Sequence, residues 1–214
     1  MTNSTNRVKL TIMVLSGLIA LLVGIFAAKT IISKNKFNPE EFHGTWLEHS
    51  REINNFSLES TNSQVFNNNS LKGKWTLLFF GFTRCGYLCP TTLSEMNKMY
   101  HQLEEKGIKD LPQVVLITVD PENDSLSTLN QYVKSFNPHF IAARGSEEML
   151  KNMASEMGVA YTKVAVTNNS EKEQYSIEHT GTIMVFNPKG ELKAFFTTPH
   201  QAATLSKDYL MLIS

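Results

Sequence analysis

The sequence predicts an α/β domain built on a central mixed sheet flanked by helices, carried behind one apolar N-terminal helix. Three observations lead there. The run WTLLFFGF, from Trp75 to Phe82, is nearly continuous in apolar residues, as a strand buried on both faces should be. Similar runs alternate with helix-periodic segments as far as Gly158, the pattern of βαβ units with parallel strands. A late hairpin pattern, TIMVFNPKGELKAFF, adds antiparallel strands around the turn NPKG.

Taken in order, residues 1–9 are a tail and Leu10–Ala28 is an uncharged run of 19 residues. At a rise of about 1.5 Å per residue it reaches about 28 Å, close to the hydrocarbon thickness of a bilayer, so a single transmembrane anchor is expected. A cleaved signal peptide has a shorter apolar region of about 7–15 residues. Basic residues flank the run on both sides (Arg7 and Lys9; Lys29, Lys34 and Lys36), so charge does not set its orientation. Residues 29–48 read as a linker and residues 49–214 as the folded domain. FSL and QVF are short strand candidates, and NNNS and KGK are turn signals.

After WTLLFFGF, the segment PTTLSEMNKMYHQLEEKG reads as a helix, with Pro90 at its start and Gly107 as its C-terminal cap. Leu93, Met96, Met99, Tyr100 and Leu103 share one face. QVVLITV is a second buried strand and DPENDS a loop. SLSTLNQYVKSF is a second helix, for which Asp124 is the expected N-cap. FIAA is a short strand. SEEMLKNMASEMG is a helix capped by Ser146 and ended by Gly158, and QAATLSKDYLMLI closes the chain as a helix.

Composition narrows the function. Formal net charge is zero and the basic residues form no patch or arm, so no nucleic-acid partner is expected. Two cysteines cannot form a disulfide framework. Cys85 and Cys89 fall at the carboxyl end of the first buried strand, where open α/β sheets place their sites. They can form an inert bridge, a redox pair or part of a metal site. A bridge across so short a loop restrains the unfolded chain little. A helix starting at the second cysteine favours the thiolate through its N–H groups and partial positive charge. Two thiolates suit Cu(I), with zinc as competitor, and a structural zinc site wants four protein ligands, so a third group is sought. Of six histidines, His43 and His49 are expected to be solvated. His101 lies too far along its helix, and His139 and His200 each follow a proline. His179 stands in YSIEHTGTIMVF, in the expected loop entering the hairpin, and spacing alone leaves it one candidate ligand among exposed loop histidines.

The segment KWTLLFFGFTRCGYLCPTTL resembles the signature of the Sco/SenC family, and GTWL, FSL, VLITVDPENDS and EHTGTIMVFNPKG follow that family's order. The resemblance covers residues 44–212 and the anchor. It implies a thioredoxin-like fold and a membrane-anchored metallochaperone that delivers copper to the CuA centre of cytochrome c oxidase. It also implies copper ligands at Cys85, Cys89 and His179, with Asp120 and Asp124 matching the family's acidic loop. The partners implied are the oxidase subunit carrying CuA, a copper donor protein and the membrane. The domain is then expected in the periplasm or an equivalent extracytoplasmic space, behind an inner (plasma) membrane anchor. Gly86 and Tyr87 depart from the family's usual Pro-Asp, and Glu178 stands for its usual Asp.

The alternative function is a membrane-anchored thiol–disulfide reductase, using Cys85 and Cys89 as its redox pair, for which His179 is dispensable. Met149, Met153 and Met157 recur every four residues, a stripe expected to be core rather than a thioether copper site.

Overall fold

The computed structural model describes residues 3–34, 39–166 and 174–213. The chain divides into an N-terminal unit up to Asn38 and a second unit spanning Pro39–Ile213. In the first, α1 (Asn3–Lys34) carries the apolar run, and its large apolar side chains from Ile12 to Phe26 stand exposed. Among the described residues no helix is long and apolar enough to cross a membrane. The side chains of Leu10, Thr11, Ala27 and Ala28, which complete the expected span, lie outside the described residues.

The second unit is built on strands β1 (Thr45–Arg51), β2 (Ser57–Ser60), β3 (Val65–Asn67), β4 (Thr76–Gly81), β5 (Gln113–Thr118), β6 (Ile141–Arg144), β7 (Tyr161–Val166), β8 (Gln174–His179), β9 (Ile183–Phe186) and β10 (Leu192–Phe196). Its helices are α2 (Leu88–Glu105), α3 (Leu126–Lys134), α4 (Glu147–Glu156) and α5 (Ala202–Ile213). Eight strands form one mixed sheet in the order β1-β10-β9-β4-β5-β6-β2-β3. β4, β5 and β6 run parallel, with Phe79 opposite Leu116 and Ile117 opposite Ala143. β9 closes antiparallel against β4, and β2 against β6. Among the described residues β7 and β8 pair with each other alone, as a separate antiparallel sheet. The arrangement is the expected α/β thioredoxin-like one. β1 runs across residue 48, where the sequence reading ended the linker.

Every residue of β4 is buried, which is why its sequence lacks alternation. Phe79, Phe80, Phe140 and Phe186 are inaccessible to solvent. Burying each contributes about 1.5–3 kcal/mol. α2 buries Leu93, Met96, Met99, Tyr100 and Leu103 as its periodicity predicts, and packs against α5. Its C-terminus is closed by Gly107, whose φ of +73° is the left-handed conformation that turns the next N–H, that of Ile108, back to Leu103 O at 3.0 Å. Ser146 caps α4 by accepting from the Met149 N–H. Met153 and Met157 are buried core and Met149 is half-buried, as expected of the stripe.

One cap differs from expectation. Ser125, not Asp124, caps α3, its hydroxyl accepting from the Thr128 N–H at 3.1 Å. Asp124 is fully buried and turns inward instead. A serine at the next position supplies the cap, and the carboxylate finds stronger donors elsewhere.

Candidate metal and thiol site

The carboxyl end of β4 leads through residues 82–87 into α2. The turn is closed by the Cys85 N–H donating to Phe82 O at 3.3 Å. α2 starts at Leu88, two residues before Pro90, and its N-cap residue Tyr87 offers no side-chain acceptor. One of the helix's unpaired N–H groups, that of Cys89, donates instead to Cys85 Sγ at 3.3 Å. A sulfur thus takes the capping role, in the place where the helix favours negative charge. Cys89 is wholly buried and Cys85 half-buried, and the two are not bridged. Room for Cys89 comes from Gly81, where an added Cβ would stand 2.8 Å from Cys89 Sγ.

His179 is the last residue of β8, not part of a loop entering the β9–β10 hairpin as expected. The segments YTKVAV and QYSIEH pair into the small sheet, which the sequence reading missed. Their β-branched and aromatic residues were the available signal. The imidazole Nε2 lies 3.3 Å from Cys89 Sγ and 3.8 Å from Cys85 Sγ. Its Nδ1 pairs with Thr180 O at 3.2 Å. With the proton on Nδ1, the Nε2 lone pair faces the sulfurs. The rings of Phe79 and Phe82 meet the imidazole edge-on, with centroids 5.9 and 5.8 Å away.

The three ligand atoms lie within 4.8 Å of one another. A metal about 2.3 Å from sulfur and 2.0 Å from nitrogen would set its ligands about 3–4 Å apart, so the arrangement fits one ion. Two thiolates and one imidazole make a soft, three-ligand set, one short of the four of a structural zinc site.

The thiols divide their proton unequally. A side-chain hydrogen bond from Cys89, to which the Cys89 backbone N–H adds, overcomes burial and holds the Cys85 thiol down to about 3. Cys89 moves up, first because it is the donor to Cys85 and then because it is buried. Free of metal at neutral pH, Cys85 is a thiolate and Cys89 a thiol.

The two acids brace the loop. Asp124 accepts from the Thr83 hydroxyl at 2.5 Å, the Thr83 N–H at 3.2 Å and the Thr118 hydroxyl at 2.6 Å. Asp120, also inaccessible to solvent, accepts from Arg84 Nη2 at 2.7 Å, the Tyr175 hydroxyl at 2.6 Å and Asn123 Nδ2 at 3.0 Å. Burial would raise the Asp120 carboxyl, but the bonds from Tyr175, Asn123 and Arg84 outweigh it and hold it low. Tyr87 is 77% exposed, and among the described residues nothing lies within 4 Å of a Cβ built on Gly86.

The other histidines stand elsewhere. His49 is exposed, as expected. His43, expected to be simply solvated, pairs through Nδ1 with buried Asp208 at 2.8 Å. His101 pairs with Glu104, and His139 stacks on Tyr100 with centroids 5.8 Å apart. His200 Nε2 donates to Gly181 O at 2.6 Å, two residues from His179. His139 is therefore the cleaner control for substitutions.

A sequence model of the SCO1/SenC family matches residues 45–214. A protein of Stutzerimonas stutzeri, named as copper-binding, is 35% identical over 153 residues, 72% of each chain. A SCO2-like protein of Rickettsia felis is 32% identical over 181 residues, 83% of this chain and 86% of its own. Among solved structures, copper-bound ScoI of Arabidopsis thaliana superposes with a TM-score of 0.68 at 30% identity, covering 75% of this chain and 96% of that one. Copper-bound ScoI of Bradyrhizobium japonicum gives 0.64 at 28% identity, covering 74% and 98%. With the family pattern spanning the whole sheet and both halves of the Cys–Cys–His cluster, this chain belongs to the SCO1/SenC family.

Proposed function

We propose that the chain is a copper carrier that holds Cu(I) on Cys85, Cys89 and His179 and delivers it to the CuA centre of cytochrome c oxidase during assembly. The observation that carries this reading is the convergence of two sulfurs and one imidazole nitrogen within 4.8 Å at the open end of the sheet. Relatives with copper bound on the same fold support copper as the cargo. The family resemblance supports the oxidase, with the CuA-bearing subunit as acceptor and a separate protein as donor. Cu(I) displaces the Cys89 proton and takes both sulfurs. A low-coordinate site whose Cys85 is only half-buried leaves room for an acceptor's cysteine to enter and take the metal by ligand exchange.

His179→Ala tests the proposal. In the reduced chain, competition against a chromophoric Cu(I) chelator should show one copper bound, weakened at least about 100-fold in the variant. That is the upper end of the loss expected from removing only a second-shell support. His139→Ala should bind as the parent does. Unchanged affinity in His179→Ala would contradict a carrier site.

The second reading, a thiol–disulfide reductase, is favoured by the half-buried Cys85 thiolate beside a thiol. Cys85 Sγ would attack a partner disulfide and release one partner thiolate. Cys89, giving up its proton, would then displace the second, leaving a Cys85–Cys89 disulfide and a reduced partner. This reading predicts full disulfide exchange in His179→Ala.

The proposal also places Leu10–Ala28 in the inner (plasma) membrane, supported by the uncharged 19-residue run, with the domain on its extracytoplasmic face, supported by the thiol pair. Full-length protein should remain in the membrane pellet through carbonate and high-salt washes. Soluble protein beginning near Lys29 would contradict it.

A further inference from the structure

We infer that Tyr175 is a positioning residue for His179, and that Asp120 clamps the two halves of the ligand set together through Tyr175 and Arg84. The inference rests on the copper reading for its consequence, but its mechanical part stands on the fold alone. β8 has the two-residue period of a strand, so Tyr175, Ile177 and His179 share one face. Ile177 is buried, while Ser176 and Glu178 on the other face are exposed. The face thus carries a hydroxyl at one end, an apolar wedge in the middle and the ligand imidazole at the other, about 13 Å along the strand.

The hydroxyl end is held with unusual density. Tyr175 OH donates to Asp120 Oδ1 at 2.6 Å and accepts from Arg84 Nη2 at 3.2 Å and from Asn123 Nδ2. Arg84 and Lys163 stand over its ring, with their charged groups 5.4 and 5.3 Å from the centroid. Lys163 continues to Glu122 at 3.1 Å. Arg84 immediately precedes Cys85, so one buried carboxylate grips the residue beside the first sulfur and the strand that ends in the imidazole. Because the small sheet shares no strand pairing with the large one among the described residues, side chains help to fix its distance from the cysteines. Nothing in the metal chemistry itself requires a tyrosine four residues before the histidine.

The test compares Tyr175→Phe in two backgrounds, using the reduced full-length chain and Cu(I) competition against a chromophoric chelator. With His179 present, Tyr175→Phe should weaken Cu(I) binding about tenfold. With His179→Ala, it should change binding less than twofold, because there is no imidazole left to position. In the metal-free protein, hydrogen exchange of the β8 amides should quicken about tenfold, while oxidation to the Cys85–Cys89 disulfide stays as in the parent. Equal losses in both backgrounds would overturn positioning in favour of a general structural role, and no loss in either would overturn it outright. If the parent binds no Cu(I), the copper reading fails. The exchange rates of metal-free β8 then decide the clamp separately, unchanged rates refuting it and faster rates upholding it.

Discussion

Cys85→Ser and Cys89→Ser should each weaken Cu(I) binding by about two to three orders of magnitude. That is roughly one ligand's share when about 10–16 kcal/mol of binding is divided among four. The two variants should differ in pH dependence. In the metal-free parent the proton sits on Cys89 and Cys85 is already a thiolate. Copper therefore expels one proton, and the parent's affinity should rise about tenfold per pH unit near neutrality. Acid favours the metal-free form because only that form holds the proton. In Cys89→Ser the expelled thiol proton is gone, and the slope should flatten. Isothermal titration in buffers of different ionisation enthalpy reads the proton count. A parent that releases none would contradict the division of charge between the two sulfurs.

Asp124→Ala should lower stability by about 3 kcal/mol. The carboxylate is inaccessible to solvent and accepts from both the hydroxyl and the N–H of Thr83 and from the hydroxyl of Thr118. Hydrogen bonds to a charged group contribute about 1.5–3 kcal/mol each, and three sharing one acceptor add up to less than their sum. For a chain of this size the change corresponds to a fall in Tm of about 6–12 °C. Ser125→Ala, which removes the actual cap of α3, should cost only about 1 kcal/mol. Thermal unfolding followed by circular dichroism compares them. A loss of about 1 kcal/mol or less in Asp124→Ala would mean that this residue does no more than a cap.

What the sequence made legible followed from local pattern. β4, β5 and β9 are runs long and apolar enough to be read as buried strands, and α2 and α4 announce their ends through Gly107, Ser146 and Gly158. Asp124 was misread because a carboxylate just before a helix has the local look of a cap. Its true partner, Thr83, lies 41 residues away in sequence, and no local rule reaches that far. The small sheet was missed for a related reason. β7 and β8 are short strands in which only Ile177 is buried among the described side chains, and Tyr175 meets Asp120 across 55 residues of sequence.

The site divides the same way. The cysteine pair was visible from its spacing and from the strand before it. His179 lies 90 residues beyond Cys89, and spacing alone left it one histidine among six. Only the resemblance carried by EHTGTIMVF singled it out. That Cys85 serves as an acceptor for the first turn of α2 has no sequence signal beyond the proline that follows Cys89.

The central claim is that two sulfurs and one imidazole bind a single Cu(I), and X-ray absorption at the copper edge tests it most directly. The reduced chain is loaded with one equivalent of Cu(I), and the first shell is counted in the parent and in His179→Ala. The expected result is two sulfurs and one nitrogen in the parent, with the nitrogen lost in the variant. A parent shell of sulfur alone, or a nitrogen that persists in His179→Ala, would contradict the account.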